Sequence, residues 1–155
     1  MKDQVSNDRI EQTHPAARGA FTDFINECET TLNIILRITN PVYRTIAEQD
    51  ILYEQGRSLP GHIVTNAKGG QSYHNFGLAI DLCVLNDTGV NWSYDMAQLR
   101  PIAQKYMIEW GGDWHSMKDY PHFQKTFGFT CEQLLEKHQA GQVDSAGYVV
   151  IITTT

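Results

Sequence analysis

Residues 78–84 read Leu78-Ala79-Ile80-Asp81-Leu82-Cys83-Val84, and no other stretch restricts the possible folds of this chain so strongly. With a side-chain period of two, Leu78, Ile80, Leu82 and Val84 share one face of a strand, and Ala79, Asp81 and Cys83 share the other. One face is apolar, and the other is small with a carboxylate standing in it. Burying that carboxylate without a partner is costly, so Asp81 calls for a core arginine, backbone amides or a metal ion beside it.

The flanking elements are short. Phe21, Phe24, Ile25, Cys28 and Leu32 recur at three-four spacing and predict a helix from His14 to about Leu32, with Pro15 suited to its first turn. A β-branched run, residues 34–39, ends at Asn40-Pro41. Thr45-Ile46-Ala47-Glu48 is a capping box that predicts a helix from about Ile46 to Gln55, stopped by Gly56. Residues 57–73 are rich in Gly, Ser, Asn and Pro without a period, a length of loop that is usually functional or disordered. Helical character returns over residues 93–107 with a break near Pro101, short strands are expected at 108–110 and 122–124, and Thr130 caps a helix ending at Gly141. Tyr148-Val149-Val150-Ile151-Ile152 is strongly β-prone. Strands and helices do not alternate regularly, which predicts an α+β fold with an antiparallel rather than a parallel sheet.

At 155 residues and 41% hydrophobic content, the chain has the size of one domain over residues 1–155 with one core; residues 1–13, polar and mixed in charge, are expected to be loosely ordered. A net charge of −6 without a Lys/Arg cluster argues against nucleic acid or an anionic membrane as the main partner. No signal peptide or apolar segment near 20 residues is recognisable, so synthesis in the cytoplasm is expected. Cys28, Cys83 and Cys131 are odd in number and far apart, which suits reduced, mostly buried thiols better than a zinc finger or a disulfide framework.

Two constellations carry chemistry. His74 lies at the end of the long loop, and Gly77 lets the chain turn so that His74 and Asp81 meet at one point, with nitrogen and oxygen donors for a metal. In Asp119-Tyr120-Pro121-His122 the proline bends the chain, and the bend can present Asp119 and His122 to one metal-bound water. With His122 as third ligand, Asp119 is left near the water as a general base. Read alone, His74 is equally a loop histidine and Asp119 equally a turn residue.

Together, Ser72-x-His74-x-x-Gly77-x-Ala79-x-Asp81 and Asp119-x-x-His122 resemble the signature of the zinc peptidases that cut peptidoglycan stem peptides. That group holds the D-alanyl-D-alanine carboxypeptidases and the L-alanyl-D-glutamate endopeptidases of phage lysins and bacterial autolysins. The resemblance is closest to the endopeptidases and extends through Tyr43-Arg44-Thr45, Leu52-Tyr53-x-Gln55-Gly56-Arg57, Thr65-Asn66-Ala67 and Trp110-Gly111-Gly112-Asp113-Trp114. It implies a small antiparallel sheet carrying the site with helices around it, and one Zn2+ held by His74, Asp81 and His122. It further implies Asp119 as base to a zinc-activated water, Arg44 as stabiliser of the oxyanion, and Gln49 and Ser72 lining the cleft. The implied substrate is the stem, at the L-alanyl-D-glutamate bond, in a chain assumed monomeric that reaches the wall after release or by non-standard export. Where the group usually has a small residue before the arginine, this chain has Pro41-Val42, which bears on how Arg44 is aimed.

A D-alanyl-D-alanine carboxypeptidase is the alternative within the class, and it requires a cation for the free substrate carboxylate. Outside the class, two histidines and one aspartate also make the facial triad of non-haem iron oxygenases, and a metal-binding module needs only the ligands. Neither gives an acid at position 119 a task. His62 reads as a solvated loop residue, His115 as a rim residue, Asp113 as part of a turn shaping the cleft floor, and His138 as a partner of a helix C-terminus. Trp110, Trp114 and Phe123 suit either a cleft wall or the core.

Overall fold

The computed structural model describes residues 1–152. Five helices, α1 (Gln4–Arg9), α2 (Pro15–Thr31), α3 (Ile46–Glu54), α4 (Arg100–Lys105) and α5 (Cys131–Gln139), surround a sheet of β1 (Ile35–Ile38), β2 (Ala79–Asn86), β3 (Gly89–Asn91), β4 (Glu109–Trp110) and β5 (His122–Gln124). The α+β architecture with an antiparallel sheet is the one expected. Strand order is β1-β2-β5-β4 with β3 also on β2, and every pairing is antiparallel. Among the described residues no helix is long and apolar enough to cross a membrane.

The alternation of β2 divides the molecule. Leu78, Ile80, Leu82 and Val84 are buried in a core with Ala17, Phe21, Phe24, Ile25 and Cys28 from one face of α2. Phe24 meets Phe123 of β5 at 5.1 Å between ring centroids. The start of α2 is fixed by His14, whose Nδ1 accepts from Ala16 N (3.1 Å) and whose Nε2 donates to Val149 O (2.7 Å). The capping box forms as read: Thr45 Oγ1 accepts from Glu48 N at 3.2 Å, and Glu48 Oε2 accepts from Thr45 N at 2.8 Å.

Two expectations need correction. Residues 1–13 are not loose: α1 lies along β1 and covers its outer edge, and the 3-10 turn that follows packs against α2. Asp3 caps α1 through Ser6 N (3.0 Å) and receives Arg37 of β1 at 2.7 Å and 3.1 Å, while Ser6 Oγ accepts from Ile38 N at 2.8 Å. These contacts are polar, so a polar composition conceals them. The β-prone stretch 148–152 joins no named strand; it makes one bridge, Val143 with Val149, and Val149 packs into the core. A β-branched run fits any half-buried surface, and this one packs on the start of α2.

Asp3 is 7% exposed, and the Arg37 hydrogen bond, opposed by burial and aided by Ser6, holds its carboxyl down at about 2. A carboxyl depressed in the folded state contributes its stability above its unfolded pKa and loses it as pH falls through the folded one. Asp3→Asn is therefore expected to cost about 2 kcal/mol near neutral pH, with the gap from the parent closing between roughly pH 4 and pH 2. Urea unfolding at both ends of that range measures it, and a gap independent of pH would count against this ion pair.

Candidate active site

The antiparallel register of β2 and β5 sets Asp81 directly opposite His122, and Ala79 opposite Gln124. Cross-strand partners project to the same face, so the polar face of β2 receives the His122 ring. His74 arrives from a 3-10 helix, Tyr73–Phe76, whose N-cap is Ser72 and whose end is Gly77 at φ +68°. A Cβ at Gly77 would also lie 2.8 Å from His14 N, so the turn that returns His74 to the strand has room only for glycine.

His74, Asp81 and His122 each offer a ligand atom, all within 4.8 Å of one another. His74 Nε2 lies 3.4 Å from Asp81 Oδ2, and His122 Nδ1 lies 3.1 Å from Asp81 Oδ1. The remaining ring nitrogens are engaged on their far sides. His74 Nδ1 donates to Val42 O at 2.9 Å, and His122 Nε2 donates to Gln124 Oε1 at 2.9 Å. Gln124 Nε2 in turn donates to Glu109 Oε2 at 2.9 Å, which fixes the orientation of the amide. Both histidines are buried, and both turn an unprotonated nitrogen toward Asp81 in the neutral form.

The electrostatics favour a cation at this point. Burial alone would raise the Asp81 pKa, but hydrogen bonds and charge from His122 and His74 hold it well below the usual carboxylate range. Burial depresses His122, yet the Asp81 carboxylate, with Gln124 and Asp119, raises it overall. A carboxylate that stabilises positive charge between two imidazoles suits a divalent ion, and an N,N,O donor set open on one side suits zinc.

A cleft of about 560 Å³ opens over the three donors, and Arg44, Ser72, Trp114, Met117 and Asp119 also line it. Its other wall is the long loop, at Val64–Ala67. That loop is ordered by Arg57, which donates to Thr65 O (3.1 Å) and Asn66 Oδ1 (2.8 Å), and Asn66 Nδ2 contacts Met117 Sδ across the opening. Asp119 sits on the exposed lip; desolvation first and Asp81 second raise its pKa, partly offset by His122 and His74. The bend read from Pro121 is a turn in which His122 N donates to Asp119 O at 3.2 Å. Its position depends on Gly111, where a Cβ would meet Asp119 O at 2.4 Å and the His122 Cβ at 3.1 Å.

Arg44 donates through Nη1 to Gln49 Oε1 at 2.7 Å, and its backbone N donates to His74 O at 3.1 Å. Burial lowers its pKa, while Asp81 and Glu48 act to raise it. In the Pro41-Val42 segment before it, Val42 is buried and its carbonyl holds His74. Gln49 is the correction here: it is 0% exposed and does not line the cleft. Its amide joins Arg44 to the loop through Ala67 O at 2.8 Å, so it supports the cleft from behind. Ser72 does line the cleft. His62 and His115 are exposed and outside the lining, Trp110 and Phe123 belong to the core, and only Trp114 of the three aromatics forms wall, 5.0 Å from the His122 ring. Asp113 pairs with Arg100 at 2.7 Å outside the cleft. Sequence reading missed Gln124 and Val42. A strand residue two places after His122 shares its face and was a usable signal for Gln124, whereas a supporting carbonyl leaves none.

Residues 65–125 match the family model described as D-alanyl-D-alanine carboxypeptidase. The peptidoglycan L-alanyl-D-glutamate endopeptidase CwlK of Bacillus subtilis (strain 168) is 44% identical over 93 residues, 53% of this chain and 56% of that protein. The chain thus matches about half the length of that curated relative. The L-Ala D-Glu endopeptidase ChiX of Serratia marcescens shares the fold, with a TM-score of 0.57, 24% identity, and coverage of 80% of this chain and 88% of ChiX. The resemblance drawn from the paired motifs is therefore present in sequence and in fold.

If Gln124 fixes the ring of His122, Gln124→Leu is expected to weaken metal affinity by about 10- to 100-fold while the protein stays folded. Competition with a chromophoric chelator measures it, and an unchanged affinity would remove Gln124 from the support of the site.

Proposed function

We propose that this chain is a zinc-dependent peptidase of the D-alanyl-D-alanine carboxypeptidase and L-alanyl-D-glutamate endopeptidase group, acting at the cell wall on the bond between L-alanine and D-glutamate in peptidoglycan stem peptides. The observation that carries the reading is the convergence, in one open cleft, of the three-donor cluster, the acid Asp119 and the cation Arg44. The likeness to CwlK supports the choice of substrate.

In this reading His74 through Nε2, Asp81 through its carboxylate and His122 through Nδ1 would hold Zn2+. When bound, the ion would supply Lewis acidity toward a water and the scissile carbonyl. Asp119 accepts the proton of the attacking water and returns it to the departing amine of D-glutamate. Its upward-shifted pKa suits a group that must take up a proton and then give it back. Arg44, held from behind by Gln49, offers its guanidinium to the negative charge that develops on the carbonyl oxygen. Ser72 and the Thr65–Ala67 wall offer polar groups to the main chain of an extended peptide.

Cleavage within the stem fits the lining better than removal of a terminal D-alanine. A carboxypeptidase needs a cation for the free carboxylate in addition to one for the oxyanion, and among the described residues Arg44 is the one Lys or Arg lining the cleft.

Digestion of purified peptidoglycan, with and without a chelator, is expected to expose new amino-terminal D-glutamate only when metal is present. Release of D-alanine alone would select the carboxypeptidase, and hydrolysis that survives both chelation and Asp119→Asn would overturn the mechanism. His74→Ala, Asp81→Ala and His122→Ala are each expected to lose metal by atomic absorption. Asp119→Ala should keep metal and lose about 10²- to 10⁴-fold in turnover. Arg44→Ala should keep metal and lose about 10²- to 10³-fold in kcat.

A further inference from the structure

Trp114 lines the cleft and also a second pocket of about 240 Å³, whose lining includes Arg100, Ile108, Glu109, Trp110 and Asp113. A hydrogen bond is a further link between the two: Glu109 of the pocket accepts through Oε2 from Nε2 of Gln124, which lines the cleft, at 2.9 Å. The pocket therefore adjoins the cleft at Trp114, whose ring lies 5.0 Å from that of His122. It is smaller than the roughly 300–1,000 Å³ of sites that enclose a whole drug-sized ligand, and it suits the end of one side chain.

The pocket offers both signs of charge beside apolar surface. Arg100 commits only Nε to Asp113, at 2.8 and 2.7 Å from the two carboxylate oxygens, and its Nη1 and Nη2 have no hydrogen-bond partner among the described residues. The two side chains are 46% and 45% exposed, and an ion pair that open contributes little to stability. Its effect is to steady a guanidinium whose outer edge stays free, the arrangement that takes a carboxylate in a bidentate grip. Glu109 is fixed as well: its oxygens accept from Gln124 Nε2 and Thr126 Oγ1 at 2.9 Å each, and each keeps a lone pair for a further donor. Buried Ile108 and Trp110 supply the apolar part of the lining.

We infer that this pocket reads the zwitterionic side-chain end of meso-diaminopimelate in the stem peptide, with Arg100 as the residue that determines the preference, a reading that rests on the stem-peptidase function proposed above. The acid sets the direction of the substrate. Asp119 returns its proton to the departing amine of D-glutamate, and the backbone nitrogens of Asp119 and Trp114 donate to one carbonyl, Gly111 O, at 3.1 and 3.3 Å. Arg44, which meets the carbonyl oxygen, is tied instead to the His74 segment. D-Glutamate and the residue after it thus leave the donors past Trp114. Two residues span roughly 7 Å at ~3.6 Å per residue, more than the 5.0 Å between the Trp114 and His122 rings, so the second residue after the bond carries its side chain beyond Trp114. In stem peptides that residue is a diamino acid: meso-diaminopimelate, whose side chain ends in an ammonium and a carboxylate, or lysine, which ends in an ammonium alone. Arg100 matches the carboxylate, Glu109 the ammonium, and Ile108 and Trp110 the methylenes before them. A lysine side chain brings nothing for Arg100 to hold.

The test compares kcat/KM of the zinc-loaded protein on two peptides, N-acetyl-L-alanyl-γ-D-glutamyl-meso-diaminopimelate and its L-lysine counterpart. The parent is expected to prefer the diaminopimelate peptide by about tenfold, and Arg100→Gln to lose that preference while cutting the lysine peptide at the parent rate. Arg100→Lys, which keeps the charge and not the fork, should retain only part of the preference. No preference in the parent, or an equal loss on both peptides in Arg100→Gln, overturns the inference. Undiminished cutting of the lysine peptide shows that the variant is folded. If neither peptide is cut, the peptidase reading fails, and titration with γ-D-glutamyl-meso-diaminopimelate, read from the Trp114 indole resonance, decides the pocket separately. A shift that Arg100→Gln abolishes then supports the subsite; no shift, one that survives Arg100→Gln, or one that the lysine dipeptide equals removes it.

Discussion

The pairing of Asp81 with His122 across β2 and β5 is the constraint on which the rest depends. The same register that buries Ile80 and Phe123 against α2 brings a carboxylate and an imidazole together on the opposite face. A slip of one residue would send Asp81 into the core and Ile80 into the cleft, a cost of several kcal/mol for the charge alone. Core packing therefore selects the register, and the register assembles the site. His74 then has only to be returned to this pair, which the 3-10 helix and the left-handed turn at Gly77 accomplish within one short segment.

Around the reactive face lies a shell of buried polar groups: Gln49, Asn75 and Gln124 are nearly inaccessible, yet each is hydrogen-bonded. Each ties a functional side chain or its backbone to a different element. Gln124 connects His122 to β4 through Glu109, Asn75 connects the His74 segment to Arg44 O at 2.8 Å, and Gln49 connects Arg44 to the long loop. Leaving any one of these groups unpaired would cost about 1–3 kcal/mol, so folding itself enforces the geometry of the cleft. Fixed donors and acceptors are what a site needs in order to meet charge that appears only during reaction.

What could be read from the sequence was what local physics determines. The period of β2, the Thr45 and Thr130 caps, the apolar face of α2 and the bend at Pro121 all follow from residues within a few positions of one another. The donor cluster was legible because a carboxylate in an apolar strand is expensive and so points to partners. α1 was hidden because it docks through Asp3 and Ser6, whose partners lie some thirty residues away and are polar. The β-prone end of the chain failed as a strand because propensity reports a fit to a half-buried surface and not the presence of a free edge. Gln49 was assigned to the right neighbourhood and the wrong depth, since a motif marks proximity to a site and says nothing of which side of it a residue occupies.

Two buried glycines behind the Asp119 turn bear on how such a sequence can drift. At Gly111 and Gly112 an added methyl would fall 2.4 Å from the Asp119 carbonyl oxygen and 2.2 Å from the Trp110 ring. Neither residue has a side chain that could take part in chemistry, yet Gly111 reserves the volume through which the acid-bearing turn passes and Gly112 the volume of the Trp110 ring. In a mutational landscape these positions should be as intolerant as the donors, for a steric reason rather than a chemical one. The adjoining exposed residues, such as His115, are free to vary without disturbing that volume. Variation in this region is thus confined to its solvent side by two atoms the chain does not possess.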